Sequence, residues 1–92
     1  MSIIVKRRAG AYRLLPEEVD AIANYMQVGR DQAEEVARGV LARADGVDLM
    51  GWMLQDHADK ARWRCDDAEA LRRQLIYEQF LERSLQGHVV IA

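Results

Sequence analysis

The sequence predicts a mainly α-helical (α+β) single domain, a small bundle of three to four helices with an N-terminal β-hairpin. Three observations predict this fold class. A chain of 92 residues fits one domain. Half of its residues are apolar and 30% are charged, a composition typical of a globular protein. Apolar residues recur at helical spacing between residues 16 and 86, whereas the first fifteen residues are partly β-branched and strongly basic.

Residues 1–15 are predicted to form the hairpin, with Ala9 and Gly10 as its turn and Pro16 ending its second strand. Strand alternation then gathers three basic side chains on one face: Lys6, Arg8 and Arg13. Residues 1–14 carry a charge of +4 and the remainder carries −6, so we expect a basic edge on an acidic body. The β-prone tail, residues 87–92, either adds a strand beside the first one or frays.

The first two helices follow from their end signals. Pro16 suits the first position of a helix, which is predicted to end near Gly29. Asp31 and Glu34 have the spacing of a capping box, so a second helix is predicted to begin at Asp31. It ends at Gly46.

Two longer helices are predicted to follow. Asp48 is the expected cap of the third helix, which contains the segment GWMLQDHADKARWRC. A second capping signal at Asp66 predicts a break or kink beside Cys65, and a fourth helix runs from about Asp67 to Leu85. Cys65 is the only cysteine, and we expect it to be a small buried apolar side chain.

The third helix carries apolar residues on two opposite faces. The face expected in the core consists of Met50, Met53, Leu54, His57 and Ala61. Trp52 and Trp63, eleven residues apart, share the other face. His57 is therefore predicted to be a core histidine with one hydrogen bond.

The fourth helix repeats this pattern. Its broad face, predicted to be buried, consists of Ala68, Leu71, Leu75, Tyr77, Leu81 and Leu85. Ile76 and Phe80 lie on the far side among three arginines, which we interpret as a solvated face, with a basic patch as the alternative: Arg72, Arg73 and Arg83. The second faces are covered either by another protein, self-association included, or by the chain's own hairpin.

No constellation of catalytic or metal-binding residues is visible in the sequence. Neither His57 nor His88 has a second ligand at helical spacing, so we predict no metal site. The two serines, Ser2 and Ser84, lack a glycine-rich elbow, threonine is absent, and no glycine-rich phosphate loop exists. We therefore predict no enzyme activity, no cofactor and no small-molecule substrate.

The segment EEVDAIANYMQVGRDQAEEVARGV resembles the helix-turn-helix pattern of excisionase and MerR-type proteins, in which a tight turn joins two helices. It departs from that pattern because Gln27 replaces the turn glycine and because the would-be recognition helix begins with three acids: Asp31, Glu34 and Glu35. Acids oppose contact with phosphates. We favour two antiparallel helices joined by a short turn, with DNA binding as the alternative.

Together these patterns predict a non-enzymatic protein–protein interaction module that self-associates as a homodimer. An adaptor, a chaperone, an antitoxin and a phage-type inhibitor of a host complex are the kinds of protein that suit such a chain. The predicted partner-binding residues are Trp52, Trp63, Ile76 and Phe80 as apolar anchors, with Lys6, Arg8 and Arg13 as a basic edge. With no membrane-length apolar run and no secretory signal, a cytoplasmic location is expected. The alternative function is a DNA-binding regulator.

Overall fold

The structure, a computed structural model, describes residues 4–6, 14–86 and 89–91. Within these residues the chain forms four α-helices: α1 (Pro16–Met26), α2 (Arg30–Leu41), α3 (Gly46–Trp63) and α4 (Asp67–Gln86). The predicted small helical bundle is therefore confirmed. Two three-residue strands, β1 (Ile4–Lys6) and β2 (Val89–Ile91), pair antiparallel with Val5 opposite Val90.

The predicted N-terminal hairpin is not supported. Its turn and most of its second strand, residues 7–13, lie outside the described residues, and Leu14 and Leu15 have irregular backbone. Strand β1 is hydrogen-bonded to β2 near the other end of the sequence, which is one of the two outcomes expected for the tail. An Ala-Gly turn is a weaker hairpin signal than Asn-Gly, because only glycine of the two readily adopts the positive φ that a two-residue turn requires.

The helix ends differ from the predicted ones by a few residues. Helix α1 begins at Pro16 as predicted but stops at Met26, because Gln27 takes a left-handed conformation with φ of 58°. Helix α2 begins one residue before Asp31, without a side-chain cap, and the Gly29 carbonyl accepts its first hydrogen bond from Ala33 N at 2.9 Å. The backbone alone therefore provides the start that a capping box was expected to provide.

Helices α3 and α4 are separated by a break rather than a kink. Cys65 has φ of 58° and is exposed, so the prediction that it is buried is wrong. The N–H of Glu69 donates to Asp66 Oδ1 at 3.3 Å, which confirms the predicted capping interaction. Helix α3 begins at Gly46, so Asp48 lies in its first turn and is not its cap.

Helix α3 packs against each of the other three helices, most extensively against α4. Helix α1 also contacts α2 and α4. The core between them consists of Val19, Ala21, Ile22, Ala33, Ala37, Leu41, Val47, Met50, Leu54, Ile76 and Phe80. Small side chains on α2 and α3 allow these helices to approach one another closely.

Helix α4 buries the face that the sequence pattern placed outside. Phe80 is fully buried and Ile76 nearly so, whereas Leu71, Leu75 and Leu81 are exposed. The ring of Phe80 packs beside Gly51, where an added Cβ would lie 3.6 Å from Phe80 Cε2. That distance is an ordinary van der Waals contact, so the ring packs closely on α3 at this position, and a phenylalanine buries more area than a leucine.

Gly46 permits the tight connection between α2 and α3. A Cβ at this position would lie 2.0 Å from the Val40 carbonyl oxygen and 2.8 Å from Leu41 Cα, both of them backbone atoms. Gly39, on the exposed side of α2, has no atom within 4 Å of the corresponding position. A methyl group would therefore clash with backbone atoms at position 46 but would meet no atom at position 39.

We predict that Gly46→Ala lowers the free energy of unfolding by about 2 kcal/mol, because overpacking against backbone forces a shift of the connection. The matched control Gly39→Ala should raise it by about 0.5 to 1 kcal/mol, since alanine restricts the unfolded chain and favours the helix. Urea denaturation followed by circular dichroism measures both changes. Equal effects of the two substitutions would contradict the tight approach at Gly46.

The orientation of α4 gives a second prediction. Phe80→Ala should destabilise the protein by about 3 to 5 kcal/mol, because it removes a fully buried ring. Leu71→Ala should change stability by no more than about 0.5 kcal/mol, since Leu71 is mostly exposed. Chemical denaturation of both variants measures these changes in stability. If the leucine face of α4 were the core, Leu71→Ala would be the more destabilising of the two substitutions.

Candidate functional site

Large exposed apolar side chains lie mostly on α3 and α4. Trp63 is 89% exposed and Trp52 is 61% exposed, while Leu71 and Leu75 of α4 are 63% and 51% exposed. We call these four residues the outer apolar residues. Each side chain stays in water although the same helices have a complete apolar core.

The helical repeat explains how α3 presents its tryptophans. Eleven residues make about three turns, so Trp52 and Trp63 lie on one side of α3, about 16 Å apart along its axis. Met50, Leu54 and Ala61 are buried on the opposite side. The predicted division of α3 into a core face and a tryptophan face is therefore confirmed.

The predicted partner-binding residues do not stay together. Trp52 and Trp63 are exposed, whereas Ile76 and Phe80 are buried in the core. The assignment of Ile76 and Phe80 as exposed anchors is therefore wrong. Lys6 lies in β1, and nothing is described of its side chain; Arg8 and Arg13 lie outside the described residues.

Sequence reasoning missed Leu71 and Leu75 as exposed candidates. Their spacing of four residues, which places them on one face of α4, was visible, but an apolar stripe alone does not reveal which side of a helix is covered. In the structure the two tryptophans of α3 and the two leucines of α4 are all exposed.

A polar network connects α1, α3 and α4 inside the bundle. His57 is nearly fully buried, and its Nε2 lies 2.9 Å from Asn24 Oδ1 of α1. Its ring meets that of Tyr25 edge-on, with centroids 5.9 Å apart. The carbonyl of His57 accepts a 2.8 Å hydrogen bond from Arg73 Nη1 of α4. The prediction of a core histidine is confirmed.

The charge states of this network follow from burial and from Arg73. Burial, assisted by the nearby Arg73 guanidinium, lowers the pKa of His57 to about 4, so the imidazole is neutral at neutral pH. Hydrogen bonds from Arg72 and Arg73 lower the pKa of Glu69 to about 2. Burial and a 2.6 Å hydrogen bond to Asp56 raise the pKa of Tyr25 to about 12. None of these groups is poised for proton transfer near pH 7.

The three arginines of α4 bind carboxylates of this chain. Arg72 and Arg73 both donate to Glu69, at 2.7 to 2.8 Å. Arg83 donates to Oε2 of Glu18, a fully buried carboxylate whose Oε1 accepts the Leu15 N–H at 2.7 Å. The expected solvated face and its alternative, a basic patch for an acidic partner, are therefore both wrong for Arg73 and Arg83.

The described residues give little support to other kinds of site. Among them no group of three or more His, Cys, Asp or Glu side chains is placed to hold a metal ion. No described helix is long and apolar enough to cross a membrane. The helix pair α1–α2 exists, but the first turns of α2 expose three acids: Asp31, Glu34 and Glu35. A DNA-reading role for α2 would bring these carboxylates toward phosphates.

Comparisons of this chain with protein-family models, with curated proteins and with solved structures gave no match.

The lowered pKa of His57 predicts an acid-sensitive stability. Above pH 6.5 the histidine is neutral in both the folded and the unfolded chain, so stability is complete. Between pH 6.5 and about 4 the unfolded chain binds a proton that the folded chain does not, so stability falls as pH falls. We expect a loss of about 2 to 3 kcal/mol between pH 7 and pH 4.5 from this group.

Urea denaturation across this pH range measures the effect, with His57→Gln as the comparison because glutamine does not titrate. The variant is expected to show a smaller pH dependence above pH 4.5 than the wild type. Every other titratable group is common to the two proteins, and Glu69 contributes mainly below pH 4.5. Parallel curves for the two proteins would contradict the burial of a neutral His57.

Proposed function

We propose that this protein is a non-enzymatic binding module that binds another protein through the outer apolar residues of α3 and α4. The observation that carries the proposal is the exposure of both tryptophans of the chain, with Leu71 and Leu75, beside a core that is complete without them. Tryptophan is the side chain most favoured as an anchor at protein interfaces.

The energetics support this use of the surface. An exposed tryptophan ring adds little to the folded state, but its burial by a partner removes a large apolar area from water. Anchors of this kind are typically worth about 2 kcal/mol or more each when they enter a partner's pocket. The two rings and the two leucines would supply the apolar anchors of such a complex.

The support beneath the site is rigid. Helix α3 is fixed to α1 through His57 and Asn24 and to α4 through Arg73, so the tryptophans project from an element held on two sides. Side chains on a fixed helix lose less entropy on binding than side chains on a loop. Whether the module is an adaptor, chaperone, antitoxin or inhibitor depends on the partner; self-association, as expected from the sequence, stays a prediction that sedimentation measures.

The proposal predicts that Trp52→Ala combined with Trp63→Ala weakens partner binding at least about tenfold. Affinity capture from the cell that encodes the protein, followed by titration of the captured partner, measures the loss. Because the chain has no other tryptophan, the wild-type fluorescence should also shift to shorter wavelength when the partner covers the rings.

A matched control is Gln32→Ala combined with Arg38→Ala, both exposed on α2. The control should bind like the wild type, and both double variants should unfold within about 0.5 kcal/mol of the wild type, since exposed side chains are removed. A partner retained equally by the tryptophan variant and the wild type would refute the assignment.

A further inference from the structure

The exposed leucines of α4 belong to a stripe that is otherwise acidic. Leu71 and Leu75 are four residues apart, and Glu78 and Glu82 continue the same side of the helix three and seven residues further on. All four residues are exposed. We call them the α4 stripe. Its apolar half can anchor a ligand and its acidic half can select one by charge.

The bases of α4 do not neutralise this stripe. Arg72 and Arg73 are bound to Glu69, and Arg83 is bound to the buried Glu18. No described cation forms an ion pair with Glu78 or Glu82; Glu78 accepts only a 3.3 Å hydrogen bond from Gln74 Nε2. Like charges four residues apart disfavour a helix by a few tenths of a kcal/mol. Within the part of the chain that the structure describes, this repulsion has no compensating cation, and a cationic partner would supply one.

Two copies of this chain that met stripe to stripe would not supply that compensation. If two α4 stripes met, whether parallel or antiparallel, Glu78 and Glu82 of one copy would face acids or leucines of the other, because the stripe contains no base. A nucleic acid would bring further negative charge. A basic amphipathic helix has the apolar spacing to meet Leu71 and Leu75 and the cations to meet the glutamates.

We infer that the partner presents a cationic amphipathic helix to the α4 stripe, with aliphatic side chains on the leucines and Lys or Arg beside Glu78 and Glu82. This inference rests on the proposed binding function and specifies the chemistry of its partner. The tryptophans of α3 contribute apolar contact, while the carboxylates of Glu78 and Glu82 favour a cationic ligand over an anionic one.

The test uses the full-length chain and two synthetic helical peptides. One has Leu at i, i+3, i+4 and i+7 with Lys at the remaining positions, and the other replaces each Lys by Glu. By fluorescence anisotropy the Lys peptide should bind at least about tenfold more tightly than the Glu peptide, and its affinity should fall as salt is added. Equal binding of both peptides, or binding of neither, overturns the inference.

Three variants locate the binding. Leu71→Ala combined with Leu75→Ala should weaken the Lys peptide about tenfold or more, and Glu78→Gln combined with Glu82→Gln about fivefold, with a smaller salt dependence. The control is Glu34→Gln combined with Glu35→Gln on α2, which removes the same charge elsewhere and should leave affinity within about twofold. An equal loss in the control overturns the inference, because the binding would then follow net charge alone.

Two further outcomes separate this inference from the proposed function. Suppose that the captured partner binds the tryptophan variant weakly but binds the variant with Glu78→Gln and Glu82→Gln as tightly as the wild type. The proposed function is then retained and the cationic helix is refuted. Sedimentation that shows a dimer abolished by Leu71→Ala with Leu75→Ala makes a second copy the occupant and also refutes it. If the variant with Trp52→Ala and Trp63→Ala keeps both the captured partner and the dimer, the proposed function is refuted instead.

Discussion

The packing of Phe80 beside Gly51 determines how the rest of the molecule is arranged. The fully buried ring lies against α3 beside Gly51, and its burial fixes the rotation of α4 about its own axis. That rotation turns Arg73 inward to the carbonyl of His57 and directs Leu71 and Leu75 to solvent. The core and the exposed surface are thus two consequences of one contact, because a rigid helix cannot bury one face without exposing the opposite one.

Two buried polar contacts reinforce the same arrangement of α4. Glu18 is fully buried, and Arg83, 65 residues later in the chain, neutralises it. Leaving such a carboxylate without its cation costs several kcal/mol, whereas a well-packed apolar pair would stabilise the fold at least as much. The effect of the pair is therefore mainly on specificity: a rotated α4 that buried its leucines would carry Arg83 away from Glu18 and Arg73 away from His57.

The sequence predicted α3 correctly and α4 wrongly for an identifiable reason. On α3 the small residues and His57 contrast sharply with the tryptophan side, and a helix that contacts three neighbours needs small residues where they approach. On α4 the leucine stripe is longer than the pair of Ile76 and Phe80, so periodicity alone selects it as the core. The deciding contacts of α4 are distant in sequence, and no local pattern reveals that an arginine will meet a carboxylate in α1. The excess of apolar surface was predictable; the side of α4 that carries it was not.

The exposed apolar residues of α3 and α4 are separate from the contacts that hold these helices in place. Trp52, Trp63, Leu71 and Leu75 lie on the outside of helices whose positions are already fixed by Phe80, Arg73 and Glu18. Exposed apolar side chains of this size do little for the folded state and raise the risk of aggregation, so the fold alone gives no reason for them. Because their support does not depend on them, the partner that we propose would meet a preformed surface, and binding would require little rearrangement of the bundle. In the proposed complex, Glu78 and Glu82 beside the leucines would disfavour anionic partners, which would make a small apolar surface selective.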